Sequence, residues 1–163
     1  MSDSHGRDHV TKASIAMDKD GHFLGVKVDT VAAVGAYLSQ YGIFIPTLAG
    51  AGMHVGVYKI PTLYNKVNVV YTNTVPVDAY RGAGRPEASY VIERLVDKAA
   101  DDLGIDPLEL RMKNFVQPDE IGKNEGSILP FDSCDFQKTT EMSIVNSSYS
   151  DFVNRKKSAD KSK

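Results

Sequence analysis

Val77-Asp-Ala-Tyr-Arg-Gly-Ala-Gly-Arg-Pro-Glu87 is the stretch on which the reading of this chain turns. Residues 81 to 85 hold two glycines and two arginines. Gly82 and Gly84 lack a Cβ, so the backbone there can turn sharply or approach another group closely. Pro86 carries a φ suited to the first turn of a helix. A helix start presents unpaired N–H groups and partial positive charge, which favours an anion. Arg81 and Arg85 add fork-shaped cationic donors. The spacing suits an anion or an oxygen-rich cofactor. A glycine turn that merely starts a helix satisfies the same residues, and short glycine motifs alone do not separate the two.

Outward from this loop the chain changes period. On its N-terminal side, Val67, Val69 and Tyr71 alternate with Asn68, Val70 and Thr72, predicting a strand over 66–74. On its C-terminal side, Ala88, Ile92, Leu95, Val96, Ala99 and Leu103 share one stripe at helical spacing. This predicts a helix over 86–103, stopped by Gly104. Asp106-Pro-Leu-Glu109 then gives an N-cap, a first-turn proline and a carboxylate three residues on, opening a second helix to about Phe115.

Further upstream, Ala13, Ile15 and Met17 alternate with Lys12, Ser14 and Ala16, and Leu24, Val26 and Val28 with Gly25, Lys27 and Asp29. Asp18-Lys-Asp-Gly21 supplies the turn of a hairpin between them. Asp18 and Asp20 lack the further oxygen ligands of a calcium loop. His5 and His9, with Asp3 and Asp8, read as a solvated terminal segment rather than a metal site. Residues 38–57 are apolar and glycine-rich, either a short helix between loops or the wall of a pocket. Gly122-Lys-Asn-Glu-Gly-Ser127 reads as a loop, Phe131–Phe136 as the approach to a short helix, and 146–163 as a mobile Ser/Lys-rich tail. The fold class is α+β: a hairpin and further strands in a mixed sheet, with two consecutive helices packed on it.

The 163 residues carry a formal net charge of −2 with 25% charged and 42% hydrophobic residues, an ordinary globular composition that gives no case for nucleic acid or a membrane surface. One cysteine, Cys134, excludes an internal disulfide framework or an iron–sulfur cluster held by this chain alone, and reads as inert. No apolar run approaches a membrane span, and the polar N-terminus has no signal-peptide core, so the expected location is cytoplasmic.

The run Tyr71-Thr-Asn-Thr-Val-Pro-Val-Asp-Ala-Tyr-Arg-Gly-Ala-Gly-Arg-Pro-Glu87 resembles the molybdopterin-binding large subunit of the xanthine dehydrogenase/aldehyde oxidase family, and more narrowly the carbon monoxide dehydrogenase-like (form II type) large subunits. Ser2-Asp-Ser-His-Gly-Arg-Asp-His9, Gly35-Ala-Tyr37, Tyr58-Lys-Ile-Pro61 and Asp106-Pro-Leu-Glu-Leu-Arg-Met-Lys-Asn-Phe115 extend the likeness in the same order. It spans residues 1–118, which would form part of a molybdopterin-binding domain; 119–145 would be a loop and short helix, and 146–163 the tail.

The resemblance implies a role for each matching position. Arg81 and Gly82 would lie beside the molybdenum–molybdopterin cofactor, in its plain or cytosine dinucleotide form. Ala83, Gly84 and Ala49 would line the substrate pocket, and no residue would ligate the metal directly. Gly82 stands where carbon monoxide-oxidising members carry a copper-binding cysteine. Ala83 and Ala49 stand where purine-oxidising members carry a phenylalanine and an arginine. Copper and purine specificity are therefore not expected. The implied activity is molybdenum-dependent hydroxylation (an oxidoreductase reaction), with the general base outside this chain. The implied partners are the rest of the large subunit and FAD-binding and iron–sulfur subunits or domains. A non-catalytic binding or assembly module, or a remnant of such a subunit, is the alternative reading; alone, the chain is expected to be inactive.

Overall fold

Alternating side chains in the first third of the chain build the expected hairpin. The computed structural model describes residues 3–123 and 130–160. Strand β1 (His9–Met17) pairs antiparallel with β2 (Phe23–Ala33), and β3 (Leu63–Val70) adds to β2 in parallel, giving a mixed sheet of order β1-β2-β3. Asp18 closes the hairpin turn by accepting the N–H groups of Asp20 and His22 through Oδ1, both at 2.9 Å. That use of its carboxylate explains why Asp18 reads as a turn residue rather than a cation ligand.

Two strand expectations shift. Leu24 is 49% exposed while Phe23 is buried, because the register slips by one residue opposite Ala16 and Met17. A bulge of this kind moves the following side chains to the other face, so Val26 and Val28 point inward as expected and Leu24 does not. The third strand begins at Leu63 and ends at Val70, earlier than its alternation alone indicates. Beyond it, Thr72 N–H donates to Gly35 O and Ala36 N–H to Thr74 O, outside the strand ladder.

Helix α1 (Arg85–Leu103) lays Ala88, Ile92, Val96, Ala99 and Ala100 on the sheet. Leu103, expected on that stripe, is 46% exposed at the helix end. Gly104, at φ 66°, caps the helix. Helix α2 (Pro107–Asn114) starts at Asp106, whose carboxylate accepts from Leu108 N–H and Glu109 N–H. The core gathers Phe23, Val26, Val28, Tyr58, Ile60, Ile92, Val96, Leu110 and Phe115 between sheet and helices. Tyr58 centres it, stacked on Phe115 and edge-on to Phe23. Its hydroxyl donates to Glu93, which also pairs with Arg111.

The stretch 38–57 resolves into a π-helical turn (Ile45–Ala49) followed by a 3-10 turn (Ala51–Met53). Helix α3 (Phe136–Asn146) follows the Phe131–Phe136 approach. Residues 152–160 form helix α4 (Phe152–Asp160), where composition indicated no regular element. Tyr149 stacks on Phe152 at 5.9 Å, Arg155 donates to Ser147 O, and the Tyr149 hydroxyl meets Asp106 at the start of α2. Residues 124–127 of the expected 122–127 loop, and the last three residues of the tail, lie outside the described residues.

Candidate active-site loop

The loop after β3 is fastened at its entrance by two different parts of the chain. Val77 N–H donates to Val34 O at 3.1 Å, and Asp78 N–H donates to His5 O at 2.9 Å. Ser39 Oγ donates to Val77 O at 2.6 Å. His5 also forms a parallel bridge with Val77. The N-terminal segment is therefore a structural neighbour of the loop. The solvated reading is corrected for His9, which opens β1 and is half-buried, while His5 is exposed although its backbone is tied to the loop. Sequence spacing could not show this, since the two segments meet only through the fold.

Past that entrance the backbone turns tightly. Gly82, Ala83 and Gly84 take φ of 93°, 43° and 90°, three consecutive residues in the left-handed region. Two are glycine and adopt it freely; Ala83 alone carries the steric cost. Ala83 N–H donates to Tyr80 O at 2.7 Å and Arg85 N–H to Gly82 O at 3.1 Å. Pro86 then sits in the first turn of α1.

Arg81 and Gly82 are exposed at the tip, Ala83 is half-buried and Gly84 is buried. The Arg81 guanidinium has no hydrogen bond or ion pair among the described residues. Gly84 packs against the π-helical turn, whose last residue is Ala49. A Cβ on Gly84 would lie inside the envelope of Ile45 O and 3.0 Å from Gly50 N, and one on Gly50 would lie 3.3 Å from Gly84 O. The fold thus brings the turn bearing Ala49 against the base of the loop, while Arg81 and Gly82 face outward.

Arg7, His54 and Glu87, to which sequence reasoning assigned no role, and His9, which it read as solvated, complete the surroundings. Arg7 Nη2 donates to Arg81 O at 2.7 Å, and Arg7 Nε pairs with Glu87 at 3.1 Å. His9, His54 and Glu87 meet around a cavity of about 20 Å³ also lined by Thr11, Thr30 and Gly84. His54 Nδ1 and Glu87 Oε2 are buried without a hydrogen-bond partner among the described residues. Burial pushes the pKa of His9 down, partly offset by the negative charge of Glu87 and Asp8. Burial and the neighbouring His9 push His54 down as well. The signal that could have found Arg7 and His9 is the Ser2–His9 segment itself, whose matching order carried no role.

A fixed cation with a free head, beside the start of a long helix, can bind an anionic or oxygen-rich group. No group of three His, Cys, Asp or Glu side chains among the described residues could hold a metal ion. Cys134 lies elsewhere, near Val116 O, with its thiol pKa pushed up by desolvation. No helix among the described residues is long and apolar enough to cross a membrane.

Residues 1–115 match the model of the molybdopterin cofactor-binding domain. The 6-hydroxypseudooxynicotine dehydrogenase complex subunit gamma of Paenarthrobacter nicotinovorans is 30% identical over 96% of this chain and 20% of its own length. The carbon monoxide dehydrogenase large chain of Hydrogenophaga pseudoflava is 37% identical over 80% of this chain and 16% of its own. Among solved structures, quinoline 2-oxidoreductase from Pseudomonas putida 86 superposes with a TM-score of 0.85 and 27% identity, over 96% of this chain and 20% of that one. The chain spans about one fifth or less of the length of these relatives. It is homologous to the molybdopterin-binding region of molybdenum hydroxylase large subunits, matching one piece of them. This chain belongs to the molybdopterin cofactor-binding domain family.

Proposed function

We propose that the chain supplies the loop at Tyr80–Gly84 to the cofactor site of a molybdenum hydroxylase, with Arg81 and Gly82 beside the cofactor and Ala83, Gly84 and Ala49 at the substrate side. The observation that carries this reading is the Arg81 guanidinium: exposed, unpaired among the described residues, and borne on a turn fixed at its base by Gly84 and Gly50. Such a donor suits oxygen atoms of a bound anionic group, and the start of α1 adds positive potential. When bound, the cofactor supplies the oxidation–reduction chemistry, hydroxylation with oxygen drawn from water. The chain's own part is to orient and hold. Ala83, half-buried and bearing only a methyl group, adds little bulk at the turn, which leaves space for a carbon substrate such as an aldehyde or an aromatic heterocycle. Gly82 offers no thiolate, so copper-dependent carbon monoxide oxidation is not part of the proposal.

The base, the rest of the large subunit and the FAD-binding and iron–sulfur components are assigned to other segments or subunits. One cysteine in this chain and the subunit status of the relatives support that division. Arg81→Ala in the complete assembly is expected to lower both molybdenum content and turnover. Unchanged metal content and turnover would refute the role given to Arg81.

A further inference from the structure

The N-terminal segment does more than pass the loop. Its backbone is anchored at both ends: His5 N–H donates to Pro76 O and Asp78 N–H to His5 O, while Ala33 N–H donates to Asp8 O, each at 2.9 Å. Between these anchors the segment meets the loop directly. A Cβ on Gly6 would sit 2.5 Å from the Cβ of Tyr80, so only glycine permits this approach. Arg7 follows with φ of 62°, a left-handed backbone that an arginine adopts at a cost. That conformation accompanies a side chain placed on three parts of the loop. Nη2 reaches Arg81 O, Nε reaches Glu87, and the guanidinium carbon lies 4.7 Å from the centre of the Tyr80 ring.

We propose that Arg7 is a positioning residue for the Arg81 loop: one guanidinium ties the Arg81 carbonyl to the Glu87 carboxylate and so fixes the turn from which the Arg81 head projects. The planar fork matters, because two of its nitrogens serve two different acceptors at once. A lysine ammonium keeps the charge toward Glu87 but lacks the fixed pair of directions. The clamp has a second effect. Glu87 lies in the first turn of α1, where its negative charge would compete with an anion for the helix start. Pairing with Arg7 offsets that charge and leaves the positive potential to the loop. The inference rests on the reading that the loop borders the cofactor.

The test is amide exchange read by mass spectrometry on the full protein with its partner chains, in cofactor-free and loaded forms, for Arg7→Met, Arg7→Lys and Arg81→Ala. Both Arg7 variants are expected to speed exchange at the Ala83 and Arg85 amides about tenfold, the loss of one charge-assisted hydrogen bond. Amides of residues 92–100 should change less than about twofold, and molybdenum content should fall at limiting cofactor. Unchanged loop exchange, full rescue by lysine, or equal acceleration along all of α1 would each overturn the clamp. The two readings fail separately. Loosening by Arg7→Met in the cofactor-free form, with normal metal in Arg81→Ala, removes the cofactor role and leaves the clamp. Metal loss in Arg81→Ala with a rigid loop in Arg7→Met removes the clamp and leaves the cofactor role.

Discussion

Gly84 meets the carbonyl oxygen of Ile45 so closely that a single added Cβ could not fit between them. This backbone-to-backbone contact joins the start of α1 to the π-helical turn Ile45–Ala49 and sets the floor of the proposed site. Gly82, where an added Cβ would lie 2.5 Å from Pro86 Cγ, turns the chain at the exposed tip instead.

Gly84→Ala is therefore expected to destabilise strongly, by at least about 2 kcal/mol, since it adds a clash with fixed backbone to left-handed strain. Gly104→Ala is the control. Gly104 has φ of 66° but nothing within 4 Å of an added Cβ, so only the strain term of about 1 kcal/mol applies. Thermal unfolding of the two variants checks the difference; equal losses would show that the Ile45 contact contributes nothing.

Asn114 gives a second prediction. It is buried, accepts Phe23 N–H through Oδ1 at 2.8 Å, and donates through Nδ2 to Gly21 O at 3.0 Å and Leu110 O at 2.9 Å. It thereby locks the hairpin turn to the end of α2. Asn114→Leu removes the side-chain partner of Phe23 N–H and Gly21 O and should cost about 3 kcal/mol. Denaturant unfolding that moves by less than about 1 kcal/mol would contradict that accounting.

Stability should fall with acid through the histidines near the loop. Burial lowers the folded-state pKa of both His9 and His54 below the ordinary 6.5. The unfolded chain then binds protons that the folded chain does not, so stability rises with pH across this range. It is fully present above about 6.5 and is lost progressively as pH falls from there toward the folded pKa values. His54→Gln should flatten the dependence of Tm between about pH 7.5 and 5.5. An equally steep profile in that variant would show that His54 does not contribute.

The chain made alone is expected to self-associate and bind a hydrophobic dye. Tyr37, Leu38, Tyr41, Phe44 and Leu48 are all exposed in the segment flanking the loop, and Val10 is exposed on the edge strand β1. Contiguous apolar surface and an open strand edge both favour association. A soluble monomer with a cooperative unfolding transition and no dye binding would argue that these faces need no cover.

The fold and the site were legible in the sequence to different depths. Hairpin alternation, the long amphipathic stripe and the Asp106-Pro cap identified β1, β2, α1 and α2, because each signal lies within one turn or one strand of the residues that produce it. The glycine-rich loop marked Arg81, Gly82 and Gly84 by composition and by resemblance, and membership of the molybdopterin cofactor-binding domain family agrees with that resemblance. The one-residue slip that turns Leu24 outward, and the helix over Phe152–Asp160, depend on pairing and local contacts that periodicity does not register. Only the tertiary structure decided that Gly84 is a packing residue against Ile45, and that Arg7, 74 residues distant in sequence, holds the carbonyl of Arg81. Local pattern records which face a residue turns to the core. Contacts between distant segments follow from strand order and crossover, which place the N-terminal segment, the π-helical turn and the loop together.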